Sequence, residues 1–235
     1  KWMIRAGLFL YDHLAKRGSI PRSSGFHIDH HDPQQALQSH LRYGFRYTDC
    51  QTDDNRLVIL NALSAAQQGA DILTHCSMQQ AQPVDGQWSV TLLDAQQQQH
   101  TVSATAVINA AGPWVNALLD HRVSLPTTDR VTLIQGSHIV VKQLYPQQHA
   151  YLLQNKDGRV IFTIPYEYNF TLIGTTDTAY SGEPANATIS DQEIDYLLAT
   201  TNTYFKRSIN KNDIVWQYSG VRALYNPDHA DPSKI

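Results

Sequence analysis

Thr105-Ala106-Val107-Ile108-Asn109-Ala110-Ala111-Gly112-Pro113-Trp114 decides how this chain is read. Six residues of strand character run into Ala111-Gly112-Pro113, and helix character follows from Trp114 to about His121. A strand, a turn of small residues and a helix make a βα unit of the nucleotide-binding kind. Small residues matter at such a turn because backbone approaches a dinucleotide closely only where side chains are absent. A tight structural turn explains the same residues equally well, so spacing alone leaves both readings open.

On the N-terminal side, Asp53-Asp54 opens a helix with Leu57, Leu60, Asn61 and Ser64 near one face, and Gly69 stops it. Short strands are expected at 71–74, 77–82, 88–93 and 100–104, with a hairpin turn at Val84-Asp85-Gly86-Gln87. The glutamine run at 96–99 reads as a solvated hairpin tip. Further back, the first seventeen residues have helical character, closing on Lys16 and Arg17, where cations suit the helix dipole. Residues 18–25 read as a loop, Asp32-Pro33 as the start of a helix to about Leu41, and 43–52 as a strand.

On the C-terminal side β-structure dominates. Strands are expected at 131–134, 138–141, 150–154, 160–164 and 171–174, with a turn at 155–158. Ser190-Asp191-Gln192-Glu193 is a capping box for a helix to about Phe205 that buries Ile194, Leu197, Leu198 and Thr201. A last strand, 214–221, delivers Arg222 at its end. The fold class is therefore mixed α/β, with a βα segment set between β-rich arms.

Composition narrows the function. A chain of 235 residues, 42% hydrophobic, can bury a real core. Its net charge of −3 removes the electrostatic case for nucleic acid as a main partner. Cys50 and Cys76 are the only cysteines, so no disulfide framework and no cysteine zinc site is expected, and a reducing compartment is the default. No apolar run reaches the roughly 20 residues that span a bilayer. The chain opens mid-pattern on Lys1-Trp2-Met3 and closes on Asp231-Pro232-Ser233-Lys234-Ile235, and it reads as a piece of a longer protein.

Familiar catalytic signatures are missing: there is no G-x-S-x-G, phosphate loop, H-E-x-x-H or C-x-x-C. His30-His31 between Asp29 and Asp32 reads as a surface loop, because adjacent side chains point apart, and no metal is expected. Gly136-Ser137-His138 breaks an otherwise apolar strand pair, and a histidine there can serve as a general base or as a hydrogen-bonded structural residue. Tyr218-Ser219-Gly220-Val221-Arg222 presents a guanidinium fork suited to phosphate or carboxylate, or to an internal ion pair. Gly174-Thr175-Thr176-Asp177 lines a pocket or makes a polar turn.

Taken in order, these stretches resemble one family. Residues 2–14, Tyr47-Thr48-Asp49-Cys50, Asp53-Asp54-Asn55-Arg56-Leu57, the 109–114 turn, Gly136-Ser137-His138, 173–177 and 218–222 are similar to the bacterial aerobic, FAD-dependent glycerol-3-phosphate dehydrogenases. Single motifs are shared with the wider glycine-oxidase and sarcosine-oxidase type flavoproteins. The resemblance implies part of a discontinuous FAD-binding Rossmann-like domain plus a β-sheet substrate domain that caps the flavin. Residues 53–121 would supply the cofactor domain, 1–52 and 122–224 the cap, and 225–235 a truncated connection.

It further implies oxidation of sn-glycerol 3-phosphate to dihydroxyacetone phosphate with electrons passed to a membrane quinone. His138 would be the base, Arg222 and Thr176 would meet the substrate, and Met78, Ala111 and Gly112 would meet FAD. Peripheral contact with the cytoplasmic face of the inner membrane, or a place in the cytoplasm, is implied, and a homodimer is left open. The family's N-terminal G-x-G-x-x-G and its closing C-terminal segment have no counterpart here. The chain alone is therefore expected to bind FAD weakly or not at all and to be inactive. A related amine or amino-acid oxidase, and a non-catalytic cap that binds a membrane surface through the 2–14 helix, are the competing readings.

Overall fold

The computed structural model describes residues 2–14, 18–32, 34–123 and 130–225. Lys16, Arg17, Pro33 and the connection at 226–235, each part of an expectation above, lie outside the described residues. The chain forms two compact units, 1–72 with 203–207, and 73–202 with 208–235.

In the first unit α1 (Trp2–His13) precedes a two-stranded antiparallel ribbon, β1 (Ser24–His27) and β2 (Tyr43–Arg46). Asp12 fastens the end of α1 to the loop by accepting from the backbone N–H and hydroxyl of Ser23, each at 2.9 Å. α2 (Asp54–Gln67) begins on the Asp53 carboxylate, which accepts from Arg56 N–H. Neither α1 nor α2 has a buried residue.

Two expectations in this unit are corrected. Residues 34–41 do not form a helix. Gln38 N–H donates to Tyr204 O and Leu37 bridges Phe205, so pairing with 204–205 satisfies backbone that a helix would have used. The 43–52 strand stops at Arg46, because β1 offers a partner for only four residues.

In the second unit β3 (Ser77–Val84), β4 (Gln87–Leu93) and β5 (Gln99–Ala104) form an antiparallel meander. After α3 (Val115–His121) comes the larger sheet: β6 (Val131–Lys142), β7 (Tyr151–Gln154), β8 (Val160–Tyr166), β9 (Phe170–Gly174), β10 (Thr178–Ala179) and β11 (Ile214–Tyr225). Its order is β10-β6-β9-β8-β7, with β11 also on β6. β11 pairs with β6 along nearly its whole length, so β9 and β10 share the opposite edge.

Period-two alternation gives this sheet a packed face. Ile139, Val141, Leu153, Ile161 and Ile173 are all buried, and Ile194, Leu197 and Leu198 of α4 (Asp191–Tyr204) are buried with them, as the capping-box helix predicted. Each such aliphatic side chain contributes about 1.5–3 kcal/mol on leaving water.

Three further expectations are corrected here. Residues 105–110 form no strand, and Ile108 is 89% exposed. A parallel strand exists only through its neighbours, and this segment pairs with none among the described residues. Residues 71–74 likewise stay irregular. Gly136 does not interrupt β6, which runs through it, and β11 continues past Arg222 to Tyr225. Among the described residues no helix is long and apolar enough to cross a membrane.

Candidate active site

The pairing of β6 with β11 sets the site. His138 stands opposite Tyr218 on one side and Gly174 on the other, and Arg222 stands opposite Ile134. Side chains alternate along a strand, so His138, Tyr218 and Arg222 share one face of the sheet. Ser137 and Ser219, one step away on each strand, share the other.

His138 is half-buried, with its ring stacked on Tyr218 and packed over Gly174. Its Nδ1 is buried and meets no hydrogen-bond partner among the described residues. Burial, and after it the Arg222 charge, holds the imidazole pKa below its ordinary value. The ring is therefore neutral at pH 7, the form a proton acceptor must have.

Arg222 donates from Nη2 to the Asp177 carboxylate, which leads into β10 from the β9 turn. Both side chains are substantially exposed, so the pair is open to a competing anion. Thr176, expected at the substrate, is 1% exposed. Its hydroxyl donates to Glu193 at 2.6 Å and accepts from Ser137 N–H at 3.0 Å, so it braces the turn and offers nothing to a ligand directly.

The small-residue turn lies against β11, the strand of Arg222. Asn109 holds it, donating to Val115 O at 3.2 Å and accepting from Ala111 N–H at 3.2 Å, while Trp114 Nε1 donates to Glu183 at 2.8 Å. Gly112 has a φ of 54° and nothing within 4 Å of where a β-carbon would stand. An open glycine beside Ala111 leaves bare backbone for a planar or phosphorylated cofactor, so these residues fit an FAD contact. Met78 is opposite Leu92 in the β3–β4 pair, and nothing in the described contacts joins it to the His138 face.

The Asp29–Asp32 stretch behaves as a loop: Asp29 and Asp32 cap nearby backbone N–H groups, and His30 Nε2 contacts Leu41 O at 2.6 Å. Among the described residues no group of three metal-ligating side chains comes together. Sequence reasoning missed two participants. Tyr218 has no role visible in the sequence, because its place opposite His138 comes from strand register. Glu193 was read only as a helix cap, although the hydroxyls at Ser137 and Thr176 were available as its donors.

The chain is 44% identical over 234 residues to a glycerol-3-phosphate dehydrogenase of Pseudomonas tolaasii, covering 100% of this chain and 45% of that one. It is 40% identical over 236 residues to a D-erythritol 1-phosphate dehydrogenase of Brucella abortus, covering 100% of this chain and 47% of that one. The chain thus spans about half the length of the curated relatives it matches. The solved glycerol-3-phosphate dehydrogenase of Bacillus halodurans, complexed with FAD, superimposes with a TM-score of 0.73 at 31% identity, over 84% of this chain and 40% of that one. The family model described as FAD dependent oxidoreductase matches residues 11–233, and the chain belongs to that family.

Proposed function

We propose that this chain is part of an FAD-dependent enzyme that oxidises sn-glycerol 3-phosphate to dihydroxyacetone phosphate and passes the electrons to a membrane quinone. The observation that carries this reading is the neutral His138 on the same sheet face as the Arg222 guanidinium.

Oxidising a secondary alcohol removes a proton from oxygen and a hydride from carbon. FAD, when bound, supplies the hydride acceptor. His138 takes the hydroxyl proton at a ring nitrogen, and its lowered pKa keeps that nitrogen unprotonated at neutral pH. Arg222 receives the phosphate through its fork, in exchange for part of its contact with Asp177. Holding the remote phosphate fixes where the reacting carbon stands. Tyr218 stacks on the base and limits its exposure to water. Thr176, expected at the substrate, serves instead to brace the turn that carries Asp177.

In this reading residues 1–52 and 122–224 form the substrate cap and 53–121 the central part of the cofactor domain. Ala111, Gly112 and Met78 would lie against FAD. The peripheral membrane contact would fall on α1 and the residue after it, where Trp2, Phe9, Leu10 and Leu14 are exposed. Co-sedimentation with anionic vesicles checks that contact, and equilibrium sedimentation checks the homodimer.

The test of the reaction is anaerobic titration of the full-length protein, following flavin absorbance. Bleaching by glycerol 3-phosphate, with sarcosine and D-amino acids inert, supports the reading. D-erythritol 1-phosphate belongs in the same series because of the Brucella relative's name. Faster bleaching by that compound would keep the phosphate anchor and the base but change the substrate.

A further inference from the structure

On the sheet face opposite His138, one carboxylate gathers the hydrogen bonds. Glu193 Oε1 accepts from Ser137 Oγ at 2.8 Å and from Thr176 Oγ1 at 2.6 Å. Its Oε2 accepts from the Ser190 N–H and hydroxyl, both at 2.8 Å, and from Gln135 Nε2 at 3.3 Å. The residue is 8% exposed. Burial pushes the carboxyl pKa up, but donation from Thr176, Ser190 and Ser137 outweighs it and holds the group below the usual carboxylate range.

An ionised acceptor dictates the direction of every neighbouring proton. The Thr176 hydroxyl gives its proton to Glu193, which leaves its oxygen to accept from Ser137 N–H. The Ser137 hydroxyl also donates to Glu193, so at the 2.8 Å Ser137–Ser219 contact Ser219 is the donor. A helix cap needs only the contacts to Ser190. The bonds to Oε1 lie outside that role. They reach Ser137, which precedes His138, and Thr176, which precedes Asp177, while Ser219 follows Tyr218.

We propose that Glu193 is a positioning residue for the alcohol oxidation, its carboxylate fixing through Ser137, Thr176 and Ser219 where His138, the Asp177–Arg222 pair and Tyr218 stand. The roles of His138 and Arg222 rest on the function proposed above; the tether itself does not.

Glu193→Gln tests this in the full-length, FAD-loaded protein, because an amide nitrogen cannot accept and one set of donors loses its partner. Ile161→Ala, a cavity in the same sheet at a residue that makes none of these hydrogen bonds, serves as the reference for simple destabilisation. Two readouts are taken: the His138 ring resonances, assigned by their loss in His138→Asn, and the rate of flavin reduction at saturating glycerol 3-phosphate. Both variants are expected to melt earlier. Only Glu193→Gln is expected to shift the His138 resonances and to slow reduction by about tenfold to a hundredfold, with a smaller change in KM. If it behaves as Ile161→Ala does, with resonances and reduction rate unmoved, Glu193 positions nothing. If the wild-type flavin is not reduced at all, the proposed reaction fails while the His138 resonances still decide the role of Glu193. Should Glu193→Gln not fold, Ser137→Ala and Thr176→Val cut the same tethers, leave the Ser190 cap intact, and are read in the same way.

Discussion

His138 and Tyr218 lie face to face, ring centroids 4.9 Å apart and planes 8° from parallel. Strand register puts them there, since the two are directly paired across β6 and β11. Trp216 extends the aromatic row, 5.1 Å from Tyr218. The stack covers one face of the ring and so contributes to the burial that lowers the His138 pKa, and the ring owes part of its neutrality to a neighbouring strand.

Tyr218→Ala should therefore raise the His138 pKa toward about 6.5, the ordinary histidine value, while Tyr218→Phe should leave it low. Activity needs the neutral ring, so the acid limb of kcat/KM should move to higher pH in the alanine variant only. The same shift has a stability counterpart. The unfolded chain binds a proton at His138 near pH 6.5 and the folded chain only below that, so the native state loses stability as pH falls through this window. His138→Asn should flatten that part of the stability profile, measured by chemical denaturation between about pH 5 and 7.

His138→Asn should also cut flavin reduction by about a hundredfold to ten-thousandfold, the range for loss of a general base. Flavin content should stay at the wild-type level, since no cofactor contact is assigned to this ring. Stopped-flow absorbance under anaerobic conditions measures both. Wild-type reduction rates in this variant would remove His138 from the chemistry.

The sheet residues of the site were legible in the sequence and the cofactor segment was not, for one physical reason. Antiparallel strands of the β6 sheet carry their partners within the chain, so strand character at 131–134, 138–141 and 214–221 located both elements, although β6 runs on through Gly136 and β11 past Arg222. The 105–110 segment has strand composition but no neighbour to pair with among the described residues, and composition cannot supply one. Helix signals at Asp32 failed similarly. The Asp32 carboxylate does cap Gln34 N–H, but Leu37 and Gln38 are drawn to 204–205, a contact no local pattern encodes. The Ser190–Glu193 box was found as a cap, and its second role became visible only when Ser137 and Thr176 were brought to the same oxygen.

Gly174→Ala should separate the base from its place on the sheet. A β-carbon at Gly174 would clash with Cδ2, Cγ and Nε2 of the His138 ring, and the ring is too rigid to give way without leaving the Tyr218 stack. Overpacking of this kind costs about 1–3 kcal/mol. The expected result is an earlier melting transition together with a loss of kcat. Gly220→Ala on β11, where nothing stands within 4 Å of the new carbon, should do neither.

The Arg222–Asp177 pair makes the last prediction, and here KM rather than kcat is the readout. Arg222→Lys keeps the charge but loses the fork that holds a phosphate in two places. KM for glycerol 3-phosphate should rise at least tenfold, with kcat changed far less, because the interaction exists before and during reaction alike. The retained charge should leave the acid limb set by His138 where it is, whereas Arg222→Gln should move it part of the way up, burial being the larger cause and remaining in place. Asp177→Asn removes the carboxylate that competes with phosphate for the guanidinium. Both side chains of the pair are substantially exposed, so its loss should cost no more than about 1 kcal/mol of stability. KM should fall severalfold in this variant. A rise instead would mean that Asp177 orients Arg222 more than it occupies it, and the phosphate would then have to bind a pair that stays closed.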